Sequence, residues 1–317
     1  MKIVMMGSGG VGGFFGGRLA RAGFDVSFVA RGAHLAAMRE NGLAIESAVH
    51  GDIVIPDVRV TDDPASLGVA DVVILSVKLW DTEAAVRSIV PLIGAETAVL
   101  SLQNGVVKDD ILRNTLRECG VAPEPVVMGG VCYVATHISR PGVIHQVGPM
   151  QRIVIGEYDG RISPRATQLH AALHASGVTA ELSADVRKSI WEKYVFLVAL
   201  SASTTAMRAT LGPIRSNAQT RAFLLQIMNE VVTVGRAHGV ALAEDFAQNR
   251  LAFADSLPAD MTSSMHHDLN AGNRLEVNWL SGGVVKLGAE KGIATPASAA
   301  VCDMLALYAD GSKKVAL

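Results

Sequence analysis

Lys193 stands in the stretch SIWEKYVFLVAL, residues 189–200, where nearly every neighbour is apolar. At roughly 100° per residue, Val186, Ile190, Leu197 and Leu200 project into one sector centred on that lysine, the face a helix would bury. An amine in an apolar setting is penalised when charged, which lowers its pKa toward a range where it can give up a proton. Two readings stay open on this stretch alone: a proton donor, or a lysine that lays its methylenes on the core and extends its head to water.

A second constellation opens the chain. Residues 2–6 (KIVMM) form an apolar run that stops at Gly7, and helical spacing runs from Val11 to Ala22 before Gly23 ends it. Between them stands Gly7-Ser8-Gly9-Gly10-Val11-Gly12, a GxGxxG sequence. After a strand and before a helix, this pattern cradles a dinucleotide. The first glycine turns the chain, the second lets a pyrophosphate approach the backbone, and the third permits close helix–strand packing. The helix N-terminus supplies N–H groups to the phosphates. A second strand, Val26–Ala30, ends about twenty residues past the loop, where an NAD enzyme places Asp or Glu on the ribose 2′-hydroxyl. Arg31 stands there instead. A guanidinium suits a 2′-phosphate, so the expected cofactor is NADP(H). A strand over Val72–Val77 finishes at Lys78, a second cation for the same end of the sheet. Taken singly, each cation reads equally well as a surface charge. A further strand, Ala98–Leu102, runs into Gln103-Asn104-Gly105. Asn-Gly is a common turn, yet the loop after a strand's carboxyl end lies on the ligand crevice of an open parallel sheet. Asn104 is therefore read equally as a turn residue or as a contact for nicotinamide or substrate.

The elements that must position these residues follow from length and texture. A chain of 317 residues exceeds the usual domain size of ~100–200, so two domains are expected. Half the residues are hydrophobic and 18% are charged, but no apolar run approaches the ~20 residues that span a bilayer. The opening MKIVMM is too short for a signal peptide and reads as the first strand. With 28 basic against 30 acidic residues and no basic cluster interleaved with aromatics, nucleic acid is not expected as a partner, and without a spanning apolar run neither is a membrane. Cys119, Cys132 and Cys302 are odd in number and scattered, which suits a reducing cytoplasm. Neither they nor the histidines have metal-ligand spacing, so no metal site is expected. From Val126 to Tyr158, short β-like runs alternate with Gly and Pro and suggest extra strands that extend the sheet. Long helical patterns take over near Ser183–Asp185, with Ser183 as the expected N-cap of the helix bearing Lys193. The expected fold is α/β: a Rossmann-type dinucleotide-binding domain over 1–184, then an all-helical substrate and catalytic domain over 185–317.

In the second half, Asn273 and Glu276 have the spacing of a capping box, which spacing alone favours for Glu276. Ser264 fits a local backbone-bonding serine, and Asp268 a solvated helix charge.

Taken together, these pieces resemble the ketopantoate reductase family (2-dehydropantoate 2-reductases) almost end to end. The matching pieces are the opening GxGxxG, Arg31, VKLWDT with Lys78, QNG with Asn104, WEKYVF with Lys193, SSMHHD with Ser264 and Asp268, and LEVNWLSGG with Glu276. The resemblance implies that the loop at Gly7, Gly9, Gly10, Val11 and Gly12 holds NADP(H), with Arg31 and Lys78 on its 2′-phosphate. It implies that Asn104 contacts nicotinamide and substrate, and that Lys193 is the general acid. Ser264 would help hold the substrate carboxylate and Glu276 contact a substrate hydroxyl. The implied reaction is reduction of a small 2-oxo acid, ketopantoate to pantoate in pantothenate biosynthesis. One departure falls inside the implied pocket. Four and eight residues past the lysine, where the family carries asparagines that bind substrate, this chain has Leu197 and Ser201. A reductase of another small 2-oxo acid is therefore the alternative, and a non-catalytic NADP(H) sensor a further one. Sensing needs neither Lys193 nor Glu276. The sequence leaves room for a homodimer.

Overall fold

The computed structural model describes residues 1–311. The chain forms two compact units: one of Met1–Gln103 with Lys108–Ser189, the other of Asn104–Val107 with the residues from Ile190 onward. The helix that carries Lys193 begins in the first and continues in the second.

The first unit runs Lys2–Met6 (β1), Gly10–Arg21 (α1), Asp25–Val29 (β2), Gly32–Asn41 (α2), Leu43–Ser47 (β3), Ile53–Ile55 (β4), Arg59–Thr61 (β5) and Val72–Leu75 (β6). It continues with Thr82–Ile89 (α3), Ala98–Ser101 (β7), Lys108–Glu118 (α4), Val127–Arg140 (β8), Val143–Gly156 (β9), Pro164–Ala175 (α5) and Thr179–Leu182 (β10). The strands form one ten-stranded sheet in the order β4-β3-β9-β8-β7-β6-β1-β2-β5, with β10 added alongside β9. From β5 through β2, β1, β6 and β7 to the start of β8 every pairing is parallel. Parallel strands are covered on both faces and read as continuous apolar runs, as VVIL of β6 and AVLS of β7 do. Side chains alternate between the faces. Ile3 and Met5 pack with Phe14, Phe15 and Phe28 on one side, while Val4 packs with Val86, Ile89 and Leu112 on the other. This is the Rossmann-like layering, with β1 central and its carboxyl end opening into the glycine loop.

The region 126–158 differs in form from the expected short strands. It is a hairpin of two long strands, β8 and β9, 14 residues each. Val134 pairs with Gln151 and Thr136 with Gln146, so Val147–Met150 bulge out opposite one residue. Gly148 and Pro149 sit in that bulge, where Pro lacks a ladder donor at no loss, which is why the pattern looked interrupted.

The next helix is Val186–Met207 (α6). Asp185, not Ser183, caps it: Asp185 Oδ1 accepts from the Lys188 N–H at 2.9 Å, and Ser183 Oγ accepts from the Asp185 N–H one turn earlier. The second unit continues with Leu211–Ser216 (α7), Ala218–Ala237 (α8), Phe246–Ser256 (α9), Ser264–Asn270 (α10), Ser281–Glu290 (α11) and Pro296–Leu305 (α12). Among the described residues it contains helices and no strand. Its core joins Val195, Val198 and Ala199 of α6 to Ile227 and Val231 of α8 and to Val284 and Val301 beyond. No described helix is long and apolar enough to cross a membrane.

Candidate active site

The glycine loop is shaped as its residue types require. Gly7 has φ +96°, a conformation that strains any side chain, and a β-carbon there would lie 2.8 Å from the Val77 side chain. At Gly12 a β-carbon would collide with the Gly7 carbonyl and the Ser76 hydroxyl, so the start of α1 lies against the loop. Gly9 is the opposite case: a β-carbon there meets nothing within 4 Å, which leaves that side of the loop open. Gly9 is also the N-cap of α1, with no side-chain cap and no acid in the first turn. The first N–H groups of a helix have no partner within it, and here the first turn carries no acid to compete for them. Ser76 Oγ donates to the Gly7 carbonyl at 2.6 Å and pins the turn from β6. This chemistry fits a dinucleotide pyrophosphate at Gly9, Gly10 and Val11.

Strands β2 and β6 flank β1 in the sheet, so Arg31 and Lys78 leave from carboxyl ends on either side of the loop. Arg31 holds the N-cap position of α2, and its side chain, 76% exposed, pairs with Asp81 at 3.1 Å. Lys78 Nζ lies 5.7 Å from the Trp80 ring centre. An exposed ion pair contributes about 0–1 kcal/mol, so a phosphate dianion can take Asp81's place. Sequence reasoning missed Asp81. Its only signal is an acid three residues after Lys78.

Beyond β7, Gln103 and Asn104 divide between two roles. The Gln103 amide donates to the Val77 carbonyl at 3.0 Å and to Thr82 Oγ1 at 2.8 Å, and it accepts from Ser101 Oγ at 2.9 Å, so it braces the sheet's carboxyl end. Asn104 belongs to the second unit, where its Oδ1 accepts from Lys193 Nζ at 2.8 Å. Gly105 follows with φ +88°, so Asn104 is a turn residue and a lysine partner at once.

Lys193 is not on the fully buried side of α6. The side chains on nearly every other side of the helix, including Tyr194, Val195 and Val198, are buried, whereas Lys188, Ser189, Glu192, Lys193, Phe196 and Leu197 form a half-exposed stripe. The lysine's head thus reaches an open strip edged by core. One and two turns on, Leu197 shares that strip, while Ser201 is 1% exposed and its hydroxyl finds no hydrogen-bond partner among the described residues.

The later residues are placed as follows. Glu276 is 6% exposed in an irregular stretch, and its backbone carbonyl accepts from the Trp279 and Leu280 N–H groups. The capping-box expectation for it is overturned. Helix α11 starts at Ser281, and Asn273 instead donates to Asp268 Oδ1 at 3.1 Å. Asp268 is half-buried, and this exposed bond ties it to the turn after α10. Ser263 is buried as the N-cap of α10, accepting from the His266 N–H at 3.1 Å and lying 2.9 Å from Thr204 Oγ1. Ser264, the first helical residue, is exposed. The structure thus joins Lys193 to Asn104 directly and holds Ser264 and Glu276 on separate segments of the same unit. Among the described residues, no group of three or more His, Cys, Asp or Glu is arranged to hold a metal ion.

Comparison with known proteins places this arrangement. The family description "Ketopantoate reductase PanE/ApbA" matches residues 3–160, and "Ketopantoate reductase PanE/ApbA C terminal" matches residues 185–309. The chain is 31% identical over 304 residues to a 2-dehydropantoate 2-reductase of Mesorhizobium japonicum, covering 91% of each chain. It is 29% identical over 310 residues to the uncharacterized oxidoreductase YkpB of Bacillus subtilis, covering 97% of this chain and 99% of that one. A solved PanE/ApbA family ketopantoate reductase from Ralstonia eutropha JMP134 superposes with a TM-score of 0.86 at 33% identity, over 98% of both chains. With both of its halves matched, the chain belongs to the ketopantoate reductase family of oxidoreductases.

Proposed function

We propose that the protein reduces a 2-oxo acid to the 2-hydroxy acid with NADPH, ketopantoate to pantoate being the reaction its relatives' names point to. The observation that carries the reading is the 2.8 Å bond from Lys193 Nζ to Asn104 Oδ1. Asn104 accepts through a neutral amide oxygen, so this contact aims the ammonium. Placed at a substrate carbonyl, the Lys193 ammonium stabilises the negative charge growing on the oxygen and gives it a proton. A nicotinamide dinucleotide bound at the glycine loop would supply the hydride for the carbonyl carbon. Gly9, Gly10 and Val11 would hold its pyrophosphate through backbone N–H groups, and Arg31 and Lys78 the 2′-phosphate. Ser264 and Glu276 would hold the substrate's carboxylate and hydroxyl. Residues 1–184 serve the cofactor and 185–317 the substrate in this scheme. The cytoplasm is its expected place of work, its three cysteines being unbridged thiols.

A second reading, favoured by the half-exposed Leu197, is a 2-oxo acid with a less polar tail than ketopantoate. Leucine in place of an amide leaves a polar group of ketopantoate without its partner, a loss of about 1–3 kcal/mol. One assay tests both readings: oxidation of NADPH and NADH with ketopantoate and with branched apolar 2-oxo acids, in the wild type and in Leu197→Asn. NADPH-dependent turnover of at least one acid is expected, with Leu197→Asn shifting kcat/KM toward ketopantoate by roughly 5- to 150-fold. Efficient wild-type turnover of ketopantoate that Leu197→Asn does not improve discards the second reading. The absence of turnover with every acid and both cofactors discards the reductase.

A further inference from the structure

His34 lies outside every role assigned so far, yet its ring ties three elements together beneath the glycine loop. It is the third residue of α2. Its Nε2–H donates to the Ser8 carbonyl at 2.8 Å, and its Nδ1 accepts from the Gly142 N–H, in the turn between β8 and β9, at 3.0 Å. One nitrogen donates and the other accepts, so the ring is neutral with its proton on Nε2. Burial pushes the imidazole below its usual pKa range, against a smaller opposite pull from the Ser8 carbonyl, in keeping with that neutral form.

The bond to Ser8 bears on the cofactor through peptide geometry. In a planar trans peptide the C=O and the following N–H point in opposite directions. Holding the Ser8 carbonyl toward α2 therefore turns the Gly9 N–H away from it. Gly9 is the position where a side chain would meet open space. The loop is braced at two further points: Ser8 Oγ lies 3.3 Å from the Val29 carbonyl, and Gly10 is so close to β8 that a β-carbon would stand 2.5 Å from the Thr136 carbonyl oxygen. The same hairpin thus touches the loop directly at Thr136 and indirectly through His34 at Gly142.

We propose that His34 is a positioning residue for cofactor binding: its neutral ring locks the Ser8–Gly9 peptide so that the Gly9 N–H faces the pyrophosphate. The inference rests on the reading that this loop holds a dinucleotide. It makes a distinct claim, because the pyrophosphate is common to NADPH and NADH, whereas Arg31 meets only the 2′-phosphate.

The test is titration calorimetry of NADPH and NADH against the wild type, His34→Leu, His34→Gln and Arg31→Ala. A glutamine amide can donate to Ser8 and accept from Gly142 as the imidazole does; leucine can do neither. Losing the lock should weaken both dinucleotides by a similar factor of about tenfold in His34→Leu, the scale of one or two hydrogen bonds, with substantial rescue in His34→Gln. Arg31→Ala should weaken NADPH alone. The KM for the oxo acid at saturating cofactor should stay within about twofold in both His34 variants. In the wild type, imidazole nitrogen resonances should show a protonated Nε2 and a bare Nδ1. Unchanged affinities in His34→Leu, a loss confined to NADPH, or equal losses in the leucine and glutamine variants would each overturn the proposal while the cofactor reading stands. A wild type that binds neither dinucleotide overturns both.

Discussion

Glu276 poses the sharpest question at the scale of single residues, because a buried carboxylate is expensive without a purpose. The structure removes the structural purpose that its spacing suggested. With α11 beginning at Ser281 and Asn273 bonded to Asp268, Asn273 and Glu276 form no capping box at the start of that helix. Glu276→Gln keeps the volume and removes the charge. If the carboxylate accepts from a substrate hydroxyl, kcat/KM should fall by roughly 10- to 150-fold, the scale of a charge-assisted hydrogen bond, with the melting temperature nearly unchanged. Steady-state kinetics beside a thermal melt check this, and a stability loss with normal kinetics would contradict it. The misreading had a physical origin. A capping box and an isolated Asn-x-x-Glu look alike until the backbone shows where the helix starts. Glycines were easier to read than carboxylates, since Gly7 and Gly12 answer to backbone geometry that no other residue tolerates. His34 leaves no trace in the sequence, because its partners lie 26 and 108 residues away, and Asp81 leaves only an acid three residues after Lys78, its partner Arg31 being 50 residues distant.

Among the elements, α4 carries the least expected feature. Its first residue, Lys108, is 0% exposed, and its Nζ donates to Asp109 Oδ2 at 2.7 Å and to the Ser101 carbonyl at 2.9 Å. Tyr158 donates to the same carboxylate oxygen at 2.6 Å, and burial followed by the Asp109 charge raises its phenol above the ordinary range, so it remains a donor. This network ties the head of α4 to the end of β7 and to the segment after β9. In sequence, KDD looks like a solvated helix start, and nothing in the pattern betrays the burial. Lys108→Met leaves Asp109 charged and buried, which should destabilise the protein by about 3–5 kcal/mol. Adding Asp109→Asn should recover part of that loss, because an amide oxygen still accepts from Tyr158. Denaturant unfolding of the two variants checks the claim; equal stabilities of wild type and Lys108→Met would refute it. The strands that were legible, β1, β2, β6 and β7, are those buried on both faces. The hairpin was legible only as a β-rich region, since its bulge at Val147–Met150 breaks the alternation.

Across the whole molecule, the family match runs through both halves, and each half holds one part of the proposed chemistry. The first presents a glycine loop with open backbone at Gly9 and cations after β2 and β6. The second presents Lys193 on the half-exposed strip of an otherwise buried helix, joined to Asn104 across 89 residues of sequence. Periodicity places Lys193 on the face that a helix would bury, whereas the structure puts it on the half-exposed strip. The burial of almost the entire helix circumference hid the strip from that argument, because a helix that is apolar nearly all round has little moment to read. Reduction of a carbonyl needs a proton for the oxygen, and in the proposed reaction Lys193 is its source. The measurement that tests this most directly is kcat for NADPH-dependent reduction of the best 2-oxo acid by Lys193→Ala, beside calorimetric NADPH binding to the same variant. A fall in kcat of roughly 10²–10⁴ with NADPH affinity nearly intact is expected. A variant that keeps most of its kcat would contradict it.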